Sequence, residues 1–495
     1  MKQAKITAVA GYEIGAVDDR LFGSFVEHMG SCVYNGIFQP GHPTADTDGF
    51  RGDVLALAKA LRLSVLRYPG GNYVSGYRWR DTVGPVARRP TRLDLAWRTI
   101  EPNTFGLAEF AKWAEQVGSD IIMTLNLGTG NQQDACDLVE YMNFPGGTTL
   151  SDLRAAHGKR EPYGIKTWCL GNEMDGPWQI GHKTSGEYAR LAVETARALR
   201  KIDPALSFVA VGSSHEMLDT YPEWNREVLM QLYDDVEYLS MHKYIGRPDN
   251  TQAEYLISPL DMEQQIRETI AICDHVKAVK RSKKTMWIAF DEYMPSNPDW
   301  KGEPEPWQTG AVRDMAIYSM EDTLVFGSML LTLLRHCDRV KIACQAILVN
   351  VIPLIVAEKD CLAWGNAPYY AMLDVSLYGR GHVLQTKAAS PLMEAGRFGE
   401  APVLDHVCVH FPETGEMTLF VINRGEEEIT LSLETFGFAK SKETISHAAL
   451  YGALQDKNDG SHPSRLTPRE MAVTPDPIWT LPAYSWNTIR LREQH

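Results

Sequence analysis

The sequence predicts an α/β protein, a (β/α)8 TIM barrel followed by a C-terminal all-β sandwich domain. Three observations carry that prediction. Apolar, strand-like runs alternate with amphipathic helical stretches between residues 21 and 353, the order of parallel strands joined by crossover helices. Polar and acidic residues collect at the carboxyl ends of those runs, where a barrel builds its active site. Beyond residue 379 the helical period gives way to short alternating segments.

The 495 residues exceed one ordinary domain, and 44% hydrophobic with 23% charged residues is a globular composition. A net charge of −14 disfavours nucleic acid and anionic membrane as partners and suits a neutral substrate. The opening MKQAKITAVAGYEIG has no apolar core followed by a small-residue cleavage site, so a cytoplasmic protein is expected. The most apolar run, 324–334, is too short for a bilayer and is bounded by Asp322 and Arg335. The eight cysteines form no CxxC pair and read as reduced thiols rather than disulfides or metal ligands.

Taken in order, residues 1–15 hold a strand, AKITAV, expected to pair into the later β domain. The barrel is expected over 16–378. Its eight strands read as LFGSFVEH, SVLRYP, DIIMTLNLG, IKTWCLGNE, SFVAVGSS, VEYLSMHKY, TMWIAFDEY and VKIACQAILVNVI. GDVLALAKALR, GLAEFAKWAEQV and GEYARLAVETARALRKI carry apolar residues at three- and four-residue spacing, as helices do. Ser185 is a candidate start for the last of these and Asp203-Pro204 its stop. An open dinucleotide-binding sheet would need a GxGxxG turn after its first strand, and none occurs. In 379–495, HVCVHF and MTLFVINR flank PETGE, a hairpin signal. SNPDWKGEPEPW and SRLTPREMAVTPDP read as long surface loops.

The strand ends present Glu27-His28, Asn72, Asn126, Asn172-Glu173, His242 and Asp291-Glu292. A lone glutamate at a strand end is ordinarily a solvated charge. Two of them on separate strands of one barrel make a glycosidase pair, one protonating the leaving oxygen and one attacking the anomeric carbon. Retention requires the carboxyls about 5 Å apart and inversion roughly 6.5–9.5 Å. Glu173 is read as acid/base and Glu292 as nucleophile. Strand alternation puts Asp291 on the opposite face from Glu292, as a supporting acid. Asn172 can bind a sugar hydroxyl, and Trp178 and Trp97 offer apolar faces to a sugar ring. Gly70-Gly71 permit the sharp turn that presents Asn72. His242 and Tyr244, two apart on one strand, share a face and can orient the nucleophile. No HxH or HExxH element is present, so no metal is expected.

LFGSFVEHMG, LRYPGGNYVSGYRWRD, DLAWRTIEPNTFG, WCLGNEMDGPWQIGH, SMHKYIG, FDEY and DRVKIAC…LVNVI together resemble the α-L-arabinofuranosidases of glycoside hydrolase family 51. The resemblance implies a barrel with a C-terminal β-sandwich. It also implies an acid/base on the fourth strand and a nucleophile on the seventh, which is where the strand count puts Glu173 and Glu292. By position it implies that Glu27, Asn72, Asn172 and Tyr244 hold furanose hydroxyls. It further implies hydrolysis of terminal, non-reducing α-L-arabinofuranosyl residues from oligosaccharides, no cofactor, and a cytoplasmic homohexamer. Two departures stand out. Tyr293-Met294 replaces the family's Trp-Asn after the nucleophile. Ile347 occupies the place of a sugar-binding glutamine, with Gln345 two residues earlier as the remaining candidate. A galactofuranoside or xyloside substrate, and a barrel that binds sugar without turnover, stay open alternatives.

Overall fold

The computed structural model describes residues 2–247, 251–297, 301–302, 304–310, 315–439, 441–473 and 476–494. Eight parallel strands close a barrel: β1 (Gly23–Phe25), β2 (Val65–Tyr68), β3 (Asp120–Thr124), β4 (Thr167–Cys169), β5 (Ser207–Ala210), β6 (Tyr238–Ile245), β7 (Trp287–Pro295) and β8 (Val340–Gln345). Each pairs with its neighbours in sequence, and Cys344↔Gly23 joins β8 back to β1. All four residues of β2 are buried. Strands covered by helices outside and packed inside have no wet face, hence their continuous apolar character.

The crossover helices follow from their periodicity. Leu107–Val117 buries Leu107, Phe110, Ala111, Trp113, Ala114 and Val117 and ends at Gly118, whose φ of 90° is left-handed. Ser185–Ile202 is capped by Thr184, which accepts from the Glu187 N–H while the Glu187 side chain returns to Thr184. The helix starts at Ser185 as expected, and its cap is Thr184, because the carboxylate at the third helical position completes a capping box with that residue.

Helix Met320–Arg335 is buried through Leu334. It is buried on all sides because the barrel covers one side and the β domain the other. A Cβ on Gly327 would stand 2.8 Å from the Trp486 ring, so that glycine sets how closely the two units approach. Among the described residues no helix is long and apolar enough to cross a membrane.

The second unit is a nine-stranded sheet. Lys2–Ala16 lies between His382–Ala389, antiparallel, and Ile429–Phe436, parallel. Leu404–Phe411 and Glu416–Asn423 form a hairpin. Ile6 and Leu431 share one apolar cluster with Leu419 and Ile489 from the other half of the sheet, so the sheet folds over on itself. Phe420, Ile422 and Trp486 face the other way, into the barrel's core. The two Pro-rich segments include residues 298–300, 303 and 474–475, which lie outside the described residues; Arg469–Glu470 of the second pairs with Ala448 and Ala449.

Candidate active site

The site is built at the carboxyl end of the barrel, and β7 supplies its least expected feature. Between Ala289 and Glu292 the strand has one residue more than β6 has between Ser240 and His242. The same surplus separates Phe290 and Tyr293 from Ala343 and Gln345 on β8. The surplus is a β-bulge, which cancels alternation where it occurs. Asp291 and Glu292 therefore both face inward, correcting the expectation of opposite faces. Tyr293 turns outward and stacks on Phe326.

Glu292 is gripped at both oxygens. Arg67 Nη1 donates to Oε1 at 2.7 Å and the Tyr244 hydroxyl to Oε2 at 2.7 Å. Arg67 Nη2 donates to Asn172 Oδ1 at 2.7 Å, and its Nε faces Asp291 at 3.3 Å. Arg67 thus forks between the strand-seven carboxylates and the segment that carries Glu173. Sequence reading passed it over. The available signal was an arginine inside the apolar run Val65-Leu66-Arg67-Tyr68, since a charge in a fully buried strand requires a partner.

Glu173 lies four residues beyond the end of β4 rather than on it. Gly171 (φ 103°) and Glu173 itself (φ 45°) are left-handed, so the chain doubles back and brings the carboxyl over the mouth. His242 Nδ1 is 3.0 Å from Glu173 Oε1, and the Trp178 indole donates to Oε2. One carboxylate oxygen of Glu173, one of Glu292 and a His242 ring nitrogen all lie within 4.8 Å of one another.

The charges are coupled. Burial works against a charged His242, but Glu292, Asp291 and Glu173 outweigh it and hold the imidazole well above its ordinary pKa. Burial would raise Asp291; Arg67 and His242 overcome it and hold the carboxyl at about 2. Glu27 behaves in the opposite way. Burial, with Glu292 nearby, pushes it up to about 8, so it is a neutral acid at pH 7. Glu173, His242 and Glu292 are also the one group of three among the described residues with the makings of a cation site. His242 brings its own positive charge there, with its second ring nitrogen 3.4 Å from Asp291.

The Gly70-Gly71 turn is shaped by these carboxylates. A Cβ on Gly71 would sit 3.1 Å from Glu292 Oε1 and 3.2 Å from Glu27 Oε2, and one on Gly70 (φ 136°) only 2.4 Å from Glu27 Cγ. Gly71→Ala is expected to shift the Glu292 carboxyl by a few tenths of an ångström and lower kcat about 10–100-fold. Steady-state kinetics checks this, with thermal unfolding as the control for a general loss of structure.

Two family models match the chain: an α-L-arabinofuranosidase 1 domain over residues 57–255 and an α-L-arabinofuranosidase C-terminal domain over 296–485. An intracellular exo-α-(1→5)-L-arabinofuranosidase of Acetivibrio thermocellus is 45% identical, covering 99% of this chain and all of the relative. The chain belongs to the family 51 α-L-arabinofuranosidases. An exo-α-(1→6)-L-arabinofuranosidase of Bifidobacterium longum is 42% identical over 99% of the chain and 98% of its own length. The solved structure of a family 51 α-L-arabinofuranosidase from the same organism superposes with a TM-score of 0.94, at 35% identity and 99% coverage of both chains.

In this family 51 barrel the other expected residues fall into two groups. Glu27, Trp97, Asn72 and Asn172 line the mouth. The Tyr73 N–H and the Trp97 indole both donate to Glu27 Oε1 at 2.9 Å, and Asn172 Nδ2 is 3.5 Å from Asn72 Oδ1. Gln345 does not belong with them. It is fully buried; its Oε1 accepts from Ser24, and its Nε2 donates to the Ile347 and Ile352 carbonyls. The structure therefore places the Gln345 amide in the wall and does not bring it to the mouth beside Glu173 and Glu292. Ile347 is buried beside it. Asn126 likewise uses its carbonyl to accept from three successive backbone N–H groups of its own turn. Asp291 by contrast lies inward, bonded to Ser240 and facing Arg67 and His242.

Proposed function

We propose that this chain is a retaining exo-α-L-arabinofuranosidase in which Glu292 is the nucleophile and Glu173 the acid/base. The observation that carries the reading is that one oxygen of each carboxylate lies within 4.8 Å of the other, close to the separation of a retaining pair and short of the roughly 6.5–9.5 Å that inversion requires. In the first step a Glu292 oxygen bonds to the anomeric carbon as the glycosidic C–O bond breaks. The leaving oxygen takes the Glu173 proton. In the second, the Glu173 carboxylate removes a proton from water, the water oxygen attacks the anomeric carbon, and the ester to Glu292 breaks.

The neighbours suit these roles. Arg67 and Tyr244 occupy one lone pair on each Glu292 oxygen and aim the carboxylate. His242 holds Glu173 over the bond to be cut. Glu27, protonated at neutral pH, can donate as well as accept toward a sugar hydroxyl. The activities of the relatives support an arabinofuranosyl substrate, 1→5 or 1→6 linkage, and an intracellular setting. We extend the reading to a homo-oligomer, a hexamer by family resemblance, which light scattering of the purified protein tests.

The deciding experiment is a panel of 4-nitrophenyl glycosides with the first product's anomeric configuration read by NMR. The proposal requires arabinofuranoside to exceed galactofuranoside and xyloside, and the first-formed arabinose to keep the α configuration. Equal rates across the panel would overturn the sugar assignment, and an inverted product the mechanism. Glu173→Ala provides a second check. Turnover of an unactivated arabino-oligosaccharide is expected to fall about 10²–10⁴-fold. The first step on the nitrophenyl substrate, whose leaving group needs little protonation, is expected to fall far less. Equal losses on both would remove Glu173 from the acid role.

A further inference from the structure

Next to the sugar pocket, residues 77–99 carry six arginines and two aspartates, a local charge of +4 in a chain of −14. Here we infer that this lip is an aglycone site for an acidic sugar: the enzyme takes arabinofuranosyl groups from oligosaccharides whose neighbouring residue is a uronate. The inference rests on the glycosidase reading above and names what lies on the far side of the bond.

Geometry places the lip at the mouth. Strands Arg92–Asp94 and Thr99–Glu101 form a hairpin whose turn carries Trp97, and the Trp97 indole bonds Glu27 inside the sugar pocket. Two cavities of about 350 and 380 Å³, each large enough for a sugar residue, adjoin this hairpin and share Arg78, Asp81 and Arg92 in their walls. The second is lined as well by Tyr73, whose N–H donates to Glu27, and by Ile180, next to the Gln179 that donates to Asn72 O. The second cavity thus borders the segments bonded to Glu27 and Asn72.

The side chains sort by charge. The acids turn inward. Asp94 accepts from the Ala96 and Trp97 N–H groups, and Glu101 is held by His28, Tyr34 and the Asn103 N–H. Asp81 is taken up by Arg92 and Asp137 by Arg80. Arg78 is exposed on the wall common to both cavities and has no ion-pair partner among the described residues. Beside it, Leu93 is 60% and Leu95 61% exposed, and across the mouth Trp178 is 47% exposed. Apolar faces with an unpaired guanidinium fit a pyranose ring that carries a carboxylate, which Arg can bind through two parallel N–H groups.

The test compares kcat/KM for two substrates that present the same terminal arabinofuranosyl group, one on a neutral xylo- or galacto-oligosaccharide and one on an oligosaccharide bearing a uronic acid next to the branch. At low ionic strength the wild-type protein is expected to favour the acidic substrate about fivefold. Raising the salt to about 0.5 M, where the screening length shrinks to a few ångströms, is expected to remove most of that ratio. Arg78→Gln should bring the ratio close to one and Arg78→Lys retain part of it. A wild-type ratio of one, a ratio indifferent to salt, or a ratio that survives Arg78→Gln would each overturn the inference. The salt series needs no variant, so it decides even if the substitutions fold poorly. Turnover of 4-nitrophenyl α-L-arabinofuranoside, which has no aglycone sugar, separates failure of this site from failure of the glycosidase reading.

Discussion

Glu292→Ala is expected to reduce turnover of 4-nitrophenyl α-L-arabinofuranoside by at least about 10⁴-fold. The substitution removes the atom that bonds the anomeric carbon, and no neighbour can take its place. Asp291 is the nearest carboxylate in sequence, but it is committed to Ser240, His242 and Arg67. Tyr244 is held well above its ordinary pKa by burial and by Glu292 and Glu173, so it remains a phenol. The fold should survive, because Arg67 keeps Asp291 and Asn172 as partners. The vacated space lets azide reach the face opposite the leaving group while Glu173 still supplies the proton. Azide is therefore expected to restore turnover and to yield a glycosyl azide inverted relative to the substrate. Unchanged hydrolysis by the variant, or an azide product of retained configuration, would remove Glu292 from the nucleophile role.

Fold and site were legible in the sequence to different depths. The eight strands could be read because each is a short apolar run bounded by turns and ended by polar residues, a pattern that local chemistry imposes on any strand buried on both faces. The bulge at Asp291-Glu292 could not. It is a surplus residue measured against Ser240–His242 and Ala343–Gln345, and register exists only between strands. The depth of Gln345 was hidden for a related reason: it depends on which groups meet the amide, and Ser24 and two carbonyls do. Glu173 was found by its setting and not by its backbone, because the left-handed step at Gly171 and Glu173 sits past the strand that periodicity detects. Trp97 was read as an apolar face for a sugar ring; its half-buried indole also donates to Glu27, a polar contact that sequence spacing does not reveal.

Arg67→Met should fail in two measurable ways that a passive core residue would not combine. Methionine fills a similar volume, so the comparison isolates charge. Arg67 is 1% exposed, and its guanidinium bonds Glu292 and Asn172, faces Asp291 at 3.3 Å and lies 5.2 Å from the centre of the Phe25 ring. Without it, Asp291 and Glu292 share an enclosed site with His242 as the remaining positive group. Breaking one side of such a buried arrangement costs about 3–5 kcal/mol of stability.

The pH dependence fixes the sign. Asp291, held at about 2 in the folded protein against an ordinary 3.8, contributes stability that is present above that ordinary value and lost as pH falls toward 2. Burial raises its pKa and Arg67 is the first force that lowers it, so in the variant the carboxyl takes up its proton at higher pH. Acid unfolding should begin correspondingly earlier on lowering the pH. Catalysis should suffer separately. Loss of one charged donor to the nucleophile is expected to lower kcat about 10²–10³-fold. Arg67→Lys restores a charge but not the fork that reaches Glu292 and Asn172 together. It should recover the acid stability more fully than kcat. If Arg67→Met left the pH of acid unfolding in place, or if Lys recovered kcat and stability equally, the forked geometry would not be what this arginine supplies.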